Sequence, residues 1–242
     1  MKRIINFSGG QSSAYMTILE YNRETDYVVF CDTGREHPKT YKFINDFEAF
    51  EDIPIIRLGG EGAFEKMLSK KDFKMIPNMM KRECTIEMKV RTARRWVVKN
   101  VGNKYQNLLG FRADEQERVI RNKKRWKKVD QVFPLYNLGI TKAAVNNYWL
   151  QKPYRLEIPS ILGNCTLCFM KGTANVINIL RHDPSLAAPW IADEEKSKKH
   201  YGHTYLKGIT IAECLRIASM PDLFTEKDLD QLLPSYNCSC SS

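Results

Sequence analysis

The sequence contains no apolar run approaching the roughly 20 residues of a membrane-spanning helix. This excludes an integral protein of the helical type. No signal-peptide apolar stretch follows Met1-Lys2-Arg3, and the chain enters an apolar strand at Ile4 instead. A soluble, cytoplasmic protein with no membrane partner is expected, in a compartment where structural disulfides are rare. Histidine is scarce: His37, His182, His200 and His203 show no compelling ligand spacing, and His200-x-x-His203 is a weak candidate. No internal repeat stands out, which argues against a stacked-repeat architecture. Acidic residues are in deficit, 28 against 38 Lys and Arg, for a formal net charge of +10. That balance favours nucleic acid or another polyanion as partner, and it equally suits an enzyme whose substrate carries several phosphates.

What is present starts with length and core. The chain of 242 residues with 43% hydrophobic content suits one large α/β domain, alone or with a small appendage. Ile4–Phe7 reads as a strand that runs into Ser8-Gly9-Gly10-Gln11-Ser12-Ser13 at the mouth of a helix. Two glycines let the backbone turn and approach a ligand, and the helix N-terminus offers unpaired N–H groups to an anion, usually phosphate. The plainer alternative is a strand–turn–helix connection with hydroxyl caps. Asp26–Cys31 is a nearly continuous apolar run, as in a buried parallel strand, and ends at Asp32-Thr33-Gly34. Pro38 to about Phe50 reads as a helix, Ile53–Leu58 as a strand, Glu87 to about Lys99 as a Lys/Arg-rich helix, and Gln106–Leu109 as a strand. The alternation predicts a doubly wound, mostly parallel α/β sheet over residues 1–135. Residues 136–242 read as a helical cap with a cysteine-bearing loop, with helices at 141–150, 173–180, 210–218 and 226–233. Ligands of such sheets sit beyond the carboxyl ends of the strands, where Ser8–Ser13, Cys31–Gly34, Gly59–Gly62 and Gly110–Glu115 all fall.

Several constellations carry chemistry. Gly110 allows close backbone approach, and Arg112 offers a planar fork to phosphate or sulfate, with Arg118 as a second charge. Asp114 and Glu115 could hold these arginines or a magnesium ion. Cys84, flanked by Lys81, Arg82 and Lys89, stands just before a helix, a setting that lowers a thiol pKa. Cys165-x-x-Cys168 has the spacing of zinc or iron–sulfur ligands, or of a redox pair. Cys84 and either Cys238 or Cys240 could complete the set. Cys31 and Cys214 read as small core residues. Arg121–Lys128 is a dense basic run in which Trp126 could stack on a base while its neighbours meet phosphates; a solvated or mobile loop is the alternative.

Taken together, Ser8-Gly9-Gly10-Gln11-Ser12-Ser13, Cys31-Asp32-Thr33-Gly34-Arg35-Glu36-His37-Pro38, Cys84-Thr85-x-x-x-Lys89 and Gly110-x-Arg112-x-Asp114-Glu115 resemble the PAPS reductase family of the PP-loop adenine nucleotide α-hydrolase-like superfamily. The pieces come in family order over most of residues 1–120, and the Cys165/Cys168 loop extends the similarity to about residue 172. The resemblance implies an adenine nucleotide with phosphates on Ser8–Ser13, and Asp32, Thr33, Gly34 and Gly110 lining its pocket. Superfamily members that use ATP cleave the α–β bond and adenylylate a substrate, usually with magnesium. Sulfonucleotide reductases bind PAPS or APS instead, and a cysteine thiolate attacks the sulfur.

Two departures from the reductases matter. Their tail motif Glu-Cys-Gly-(Leu/Ile)-His is replaced here by Cys238-Ser-Cys240, and the adjacent Cys-Cys pair of cluster-bearing APS reductases is missing. Cys84-Thr85 with Cys165-x-x-Cys168 is instead similar to DNA phosphorothioation sulfurtransferases, which cleave ATP and carry a [4Fe–4S] cluster. No cysteine closely follows Cys168, which leaves a three-cysteine cluster or a fourth ligand from Cys238 or Cys240. The expectation is an ATP-dependent sulfur-transfer enzyme acting on a nucleic acid or nucleotide. Cys84, Lys89, Arg112, Cys238 and Cys240 are its candidate catalytic residues, and Cys84, Cys165, Cys168 and Cys240 hold the cluster or, alternatively, zinc. A sulfur donor or thioredoxin-like reductant, and an oligomeric state, are compatible with this reading. The alternatives are a sulfonucleotide reductase releasing sulfite and a non-catalytic nucleotide- or nucleic-acid-binding module.

Overall fold

The computed structural model describes residues 1–126, 129–159, 162–163 and 165–220. Its sheet comprises β1 (Arg3–Phe7), β2 (Asp26–Asp32), β3 (Ile55–Gly59), β4 (Gln106–Leu108) and β5 (Asp130–Val132). The order is β3-β2-β1-β4-β5, and every pairing is parallel. Strand order reverses at β1, so the crevice beyond the ends of β1 and β4 is the expected ligand position of an α/β sheet.

Alternation along the strands divides the core. Ile5, Phe7, Val28 and Phe30 pack on one face with α1 (Gln11–Glu20), α2 (Pro38–Glu51) and, further along the chain, Val145 and Trp149. Ile4 and Val29 point the other way, onto Val97. Both faces are therefore covered, which is why these strands read as continuous apolar runs rather than alternating ones. Pro54 delays β3 until Ile55 because it has no N–H to donate.

The chain continues through α3 (Ala63–Ser69), a π-helical turn (Thr85–Val90), α4 (Arg91–Asn100), α5 (Gln116–Arg125), α6 (Pro134–Asn137) and α7 (Lys142–Leu150). The basic run that sequence left between a nucleic-acid contact and a loop forms the last turns of α5 up to Arg125. Val119 is the only buried residue of that helix, so no apolar periodicity announces it. Lys127 and Lys128 lie outside the described residues.

The later part packs α8 (Thr173–His182), α9 (Ala188–Lys198) and α10 (Ile211–Ala218) around Trp190, Tyr205, Leu180 and Cys214. Phe64 and Leu68 of α3 belong to this second core. Thr210 caps α10 reciprocally with Glu213. Arg35, from the loop after β2, is buried in this core. It donates to Asp193 at 2.9 Å and to Glu65, and it lies over the rings of Phe64 and Trp190 at 5.0 and 5.1 Å. The expected helix at 226–233 and the cysteines Cys238 and Cys240 lie outside the described residues. No helix among the described residues is long and apolar enough to cross a membrane.

Candidate active site

The turn after β1 leaves a row of backbone donors open. Gly9 has φ +76°, and a Cβ there would meet the Thr40 methyl at 2.8 Å. Ser13 Oγ accepts from the Ser8 N–H at 3.0 Å, lies 2.9 Å from Ser8 Oγ, and donates to the Gly10 carbonyl at 2.9 Å. These bonds hold the loop closed on itself. The backbone N–H groups of Gly9, Gly10, Gln11 and Ser12 have no hydrogen-bond partner among the described residues. They face a cleft of about 270 Å³ whose lining includes Asn6, Thr40, Gly110, Arg112 and Asn146. Thr40 Oγ1 is buried in its wall without a partner. Donors left open in this way match a phosphate chain.

Arg112 enters from the loop after β4 with its fork already set. Nη1 donates to Ser12 Oγ at 3.0 Å, while Nε and Nη2 bind Asp114 at 3.1 and 3.2 Å. Burial alone would raise the Asp114 carboxyl, but the bonds from Arg112 hold it below the ordinary aspartate value. Asp114 also accepts from the Lys142 N–H at 3.0 Å, tying this loop to the start of α7. Glu115 is engaged by Arg118, whose guanidinium lies over Phe111. Trp149 closes the assembly by donating from Nε1 to the Gln11 carbonyl at 3.0 Å.

The loop after β2 meets the thiols instead; Asp32, Thr33 and Gly34, expected to line the nucleotide pocket, are not among the residues that line this cleft. Asp32 Oδ1 accepts from the Gly34 N–H at 2.7 Å and from Tyr41 at 2.8 Å. Thr33 Oγ1 lies 3.2 Å from Cys165 Sγ, and a backbone bridge joins Glu36 to Cys165. Cys165 Sγ also reaches Glu36 Oε1 at 3.7 Å, and Lys89 Nζ lies 4.0 Å from the same oxygen. Glu36 is buried, and its second oxygen has no partner. Burial pushes the Glu36 carboxyl up, against the pull of Lys89. Burial also opposes charge on Lys89, but Glu36 and the facing thiols of Cys165, Cys84 and Cys168 raise its pKa above the ordinary lysine value. Glu36 acquires this position only through the bridge to a loop far along the chain. The sequence hint was its place directly after Asp32-Thr33-Gly34-Arg35.

The low thiol pKa expected at Cys84 is corrected by the structure. Burial, with Cys168 nearby, pushes the Cys84 thiol up to about 11. Its backbone is already helical, with φ −56° and ψ −40°, so it does not cap a helix start. Burial and then Glu36 raise Cys165 as well. Cys84, Cys165 and Cys168 thus share one neighbourhood around Lys89. Among the described residues, however, no three Cys, His, Asp or Glu side chains gather in the spacing that holds a metal ion. Cys31 packs between sheet and helix with Sγ 3.5 Å from the Lys89 carbonyl, and Cys214 is fully buried in the cap core.

Comparison with known proteins agrees with this architecture. The chain is 29% identical over 205 residues to the uncharacterized nin region protein ORF290 of Escherichia phage lambda, covering 73% of this chain and 68% of the phage protein. It is 25% identical over 217 residues to an uncharacterized protein of Methanocaldococcus jannaschii, covering 84% of this chain and 44% of that protein's length. Residues 2–156, which hold the whole sheet, the phosphate loop and the Arg112 fork, match the phosphoadenosine phosphosulfate reductase domain, and the chain belongs to that family.

Proposed function

We propose that this protein is an enzyme that cleaves ATP between the α- and β-phosphates and uses the activated adenylate for sulfur transfer to a nucleic acid or nucleotide. The observation that carries the reading is the 3.2 Å contact between Thr33 and Cys165, which brings a thiol to the loop that the family resemblance places beside the nucleotide. The phosphates would lie on the N–H groups of Gly9–Ser12, with Arg112 neutralising charge that develops on them. An acceptor oxygen attacks the α-phosphorus and pyrophosphate leaves. A persulfide sulfur on one of Cys84, Cys165 and Cys168, taken from a persulfide donor, then attacks the adenylylated acceptor carbon. A C–S bond forms, the C–O bond breaks and AMP leaves. A second of these thiols frees the thiolated product by forming a disulfide, which a dithiol reduces. Lys89 acts against the upward shift that burial imposes on the Cys84 and Cys165 thiols. Asp114 and Glu115 are both engaged by arginines, so a magnesium ion would take its ligands from the nucleotide's own phosphates. The thiols as placed do not close on one metal position, and the chemistry is therefore written on the thiols themselves.

The family match favours one second reading, a sulfonucleotide reductase in which Cys238 or Cys240 attacks PAPS or APS and sulfite leaves. One assay series separates the two. Anaerobically purified protein is supplied with ATP, magnesium, a persulfide donor, a dithiol and a polynucleotide, or with PAPS or APS and reduced thioredoxin. AMP and pyrophosphate in the first mixture, lost in Cys165→Ser, support the proposal. Sulfite in the second, lost when Cys238 and Cys240 are replaced by Ser, would overturn it in favour of the reductase. Metal and sulfide analysis with an absorption spectrum of the same preparation tests for a cluster or zinc on the three thiols.

A further inference from the structure

A second cavity, of about 1020 Å³, opens on the cap and is the larger of the two clefts described. Its walls are the turn Asn78–Lys81, residues 169–181 with the start of α8, and residues 202–207. Among the described residues no Asp or Glu lines it, whereas Lys81, His203 and Lys207 do. The described wall therefore carries charge of one sign. Lys81, His203 and Lys207 are exposed.

The apolar lining is equally particular. Met75, Met79, Met80 and Met170 contribute four methionines. Met79 and Met80 are 50% and 91% exposed, on a turn fixed by Asn78. Asn78 Oδ1 accepts from the N–H groups of Met80 and Lys81, both at 3.0 Å, and the Asn78 N–H donates to the Lys81 carbonyl at 3.1 Å. A rigid turn that holds two methionines in water contributes nothing to the core. It presents polarizable sulfur to a flat ring instead. Asn175 and Asn178, three apart on α8, add amides on the same wall. Tyr201, 74% exposed, stands at the rim with its ring 5.9 Å from that of His203.

We propose that this groove seats a single-stranded segment of nucleic acid, with phosphates at the exposed Lys81 and Lys207 and bases on the methionine bed and the Tyr201–His203 rim. Exposed cations beside a flat apolar surface are the elements that a single strand requires. Two segments of the groove wall are continuous in sequence with the thiol-bearing segments, since Lys81 stands three residues before Cys84 and Phe169 directly follows Cys168. The inference rests on the reading of the acceptor as nucleic acid given above. It assigns the acceptor to the cap rather than to the convex surface of α5, where Arg125 is turned onto Trp126.

The test is fluorescence anisotropy of short labelled oligothymidylate and oligouridylate with the full chain, without nucleotide, over a range of salt. Lys81→Glu with Lys207→Glu should weaken binding at least about tenfold and lower the salt slope by about 1.4, from ~0.7 per lost phosphate contact. Met79→Ala with Met80→Ala should weaken binding about threefold with the slope unchanged. Arg121→Glu with Lys124→Glu on α5 should leave both within about twofold. All these positions but Lys124 and Arg121 line the groove, and near-UV circular dichroism checks that each variant keeps its packing. No oligonucleotide binding at low salt, tighter binding of a duplex, or loss on the α5 pair with none on the groove pair would each overturn the proposal. AMP release is followed in parallel. ATP cleavage without oligonucleotide binding overturns the groove and leaves the activity. Groove-dependent binding without nucleotide turnover supports the groove and overturns the activity.

Discussion

A Cβ on Gly110 would lie 3.1 Å from the Cα of Ser13, backbone against backbone. The end of β4 therefore presses directly on the first turn of α1, at the point where strand order reverses. Neither partner is the flexible end of a side chain, so neither can turn aside. Gly110→Ala is expected to displace the Ser8–Ser13 turn and weaken nucleotide binding by about fivefold or more, since overpacking of this kind costs ~1–3 kcal/mol. Isothermal titration with a non-hydrolysable ATP analogue and with PAPS measures it. Unchanged affinity for both would show that the nucleotide does not use this crevice.

Arg112 is poised by Asp114 and Ser12. Lysine cannot reproduce a planar fork held at three atoms. Arg112→Lys should raise KM for the nucleotide about tenfold, while Asp114→Asn, which keeps the arginine but loosens its seat, should raise it about threefold. Steady-state kinetics with KM and kcat resolved separately would check this. A change confined to kcat in both variants would place Arg112 away from ground-state phosphates.

The parallel sheet was legible because β1 and β2 are buried on both faces, and that leaves long Val/Ile/Phe runs in the sequence. The tight turn from Ser8 to Ser13 was legible because its two glycines and its serine bonds are local. The short strand β5 was not, because Asp130-Gln131-Val132 carries only one apolar residue and is defined by its pairing to β4. α5 escaped for the same reason, with Val119 alone buried. The thiol chemistry was misjudged at Cys84 because flanking charges are visible in sequence and burial is not. Glu36, Thr40 and the cap groove depend on contacts across more than a hundred residues, or on walls drawn from three separate segments, and no spacing rule encodes these.

Arg35 couples the loop after β2 to the cap. Its guanidinium is 5% exposed, and the Asp193 carboxylate it binds is 1% exposed. Removing Asp193 takes away the buried partner and leaves the guanidinium with the more exposed Glu65 alone. Asp193→Asn is expected to destabilise the protein by about 3 kcal/mol. Arg35→Met combined with Asp193→Leu should recover most of that loss, because neither charge is then left alone. Urea unfolding followed by tryptophan fluorescence reads the cap directly, since Trp190 packs on Arg35. Additive losses in the double variant would mean that the pair is not coupled.

Asp26 gives the sheet edge a defined acid limit. Burial works to raise its carboxyl, but Arg3, Thr25 and the Asn22 N–H all bind it, and they hold it below the ordinary aspartate value. The sign follows from that depression. The bonds stabilise the fold fully above the unfolded pKa near 3.9, and the contribution is lost as pH falls through the lower folded value. Wild-type stability should therefore decline on acidification below about pH 4 with a slope that Asp26→Asn lacks. At neutral pH Asp26→Asn should cost about 2–3 kcal/mol, because Arg3 loses its buried partner and keeps only Glu20. The gap between the two proteins should then narrow as the pH is lowered, which urea midpoints taken at several pH values would show. A gap that stays constant with pH would mean that Asp26 contributes through packing and neutral hydrogen bonds, with its charge making no difference.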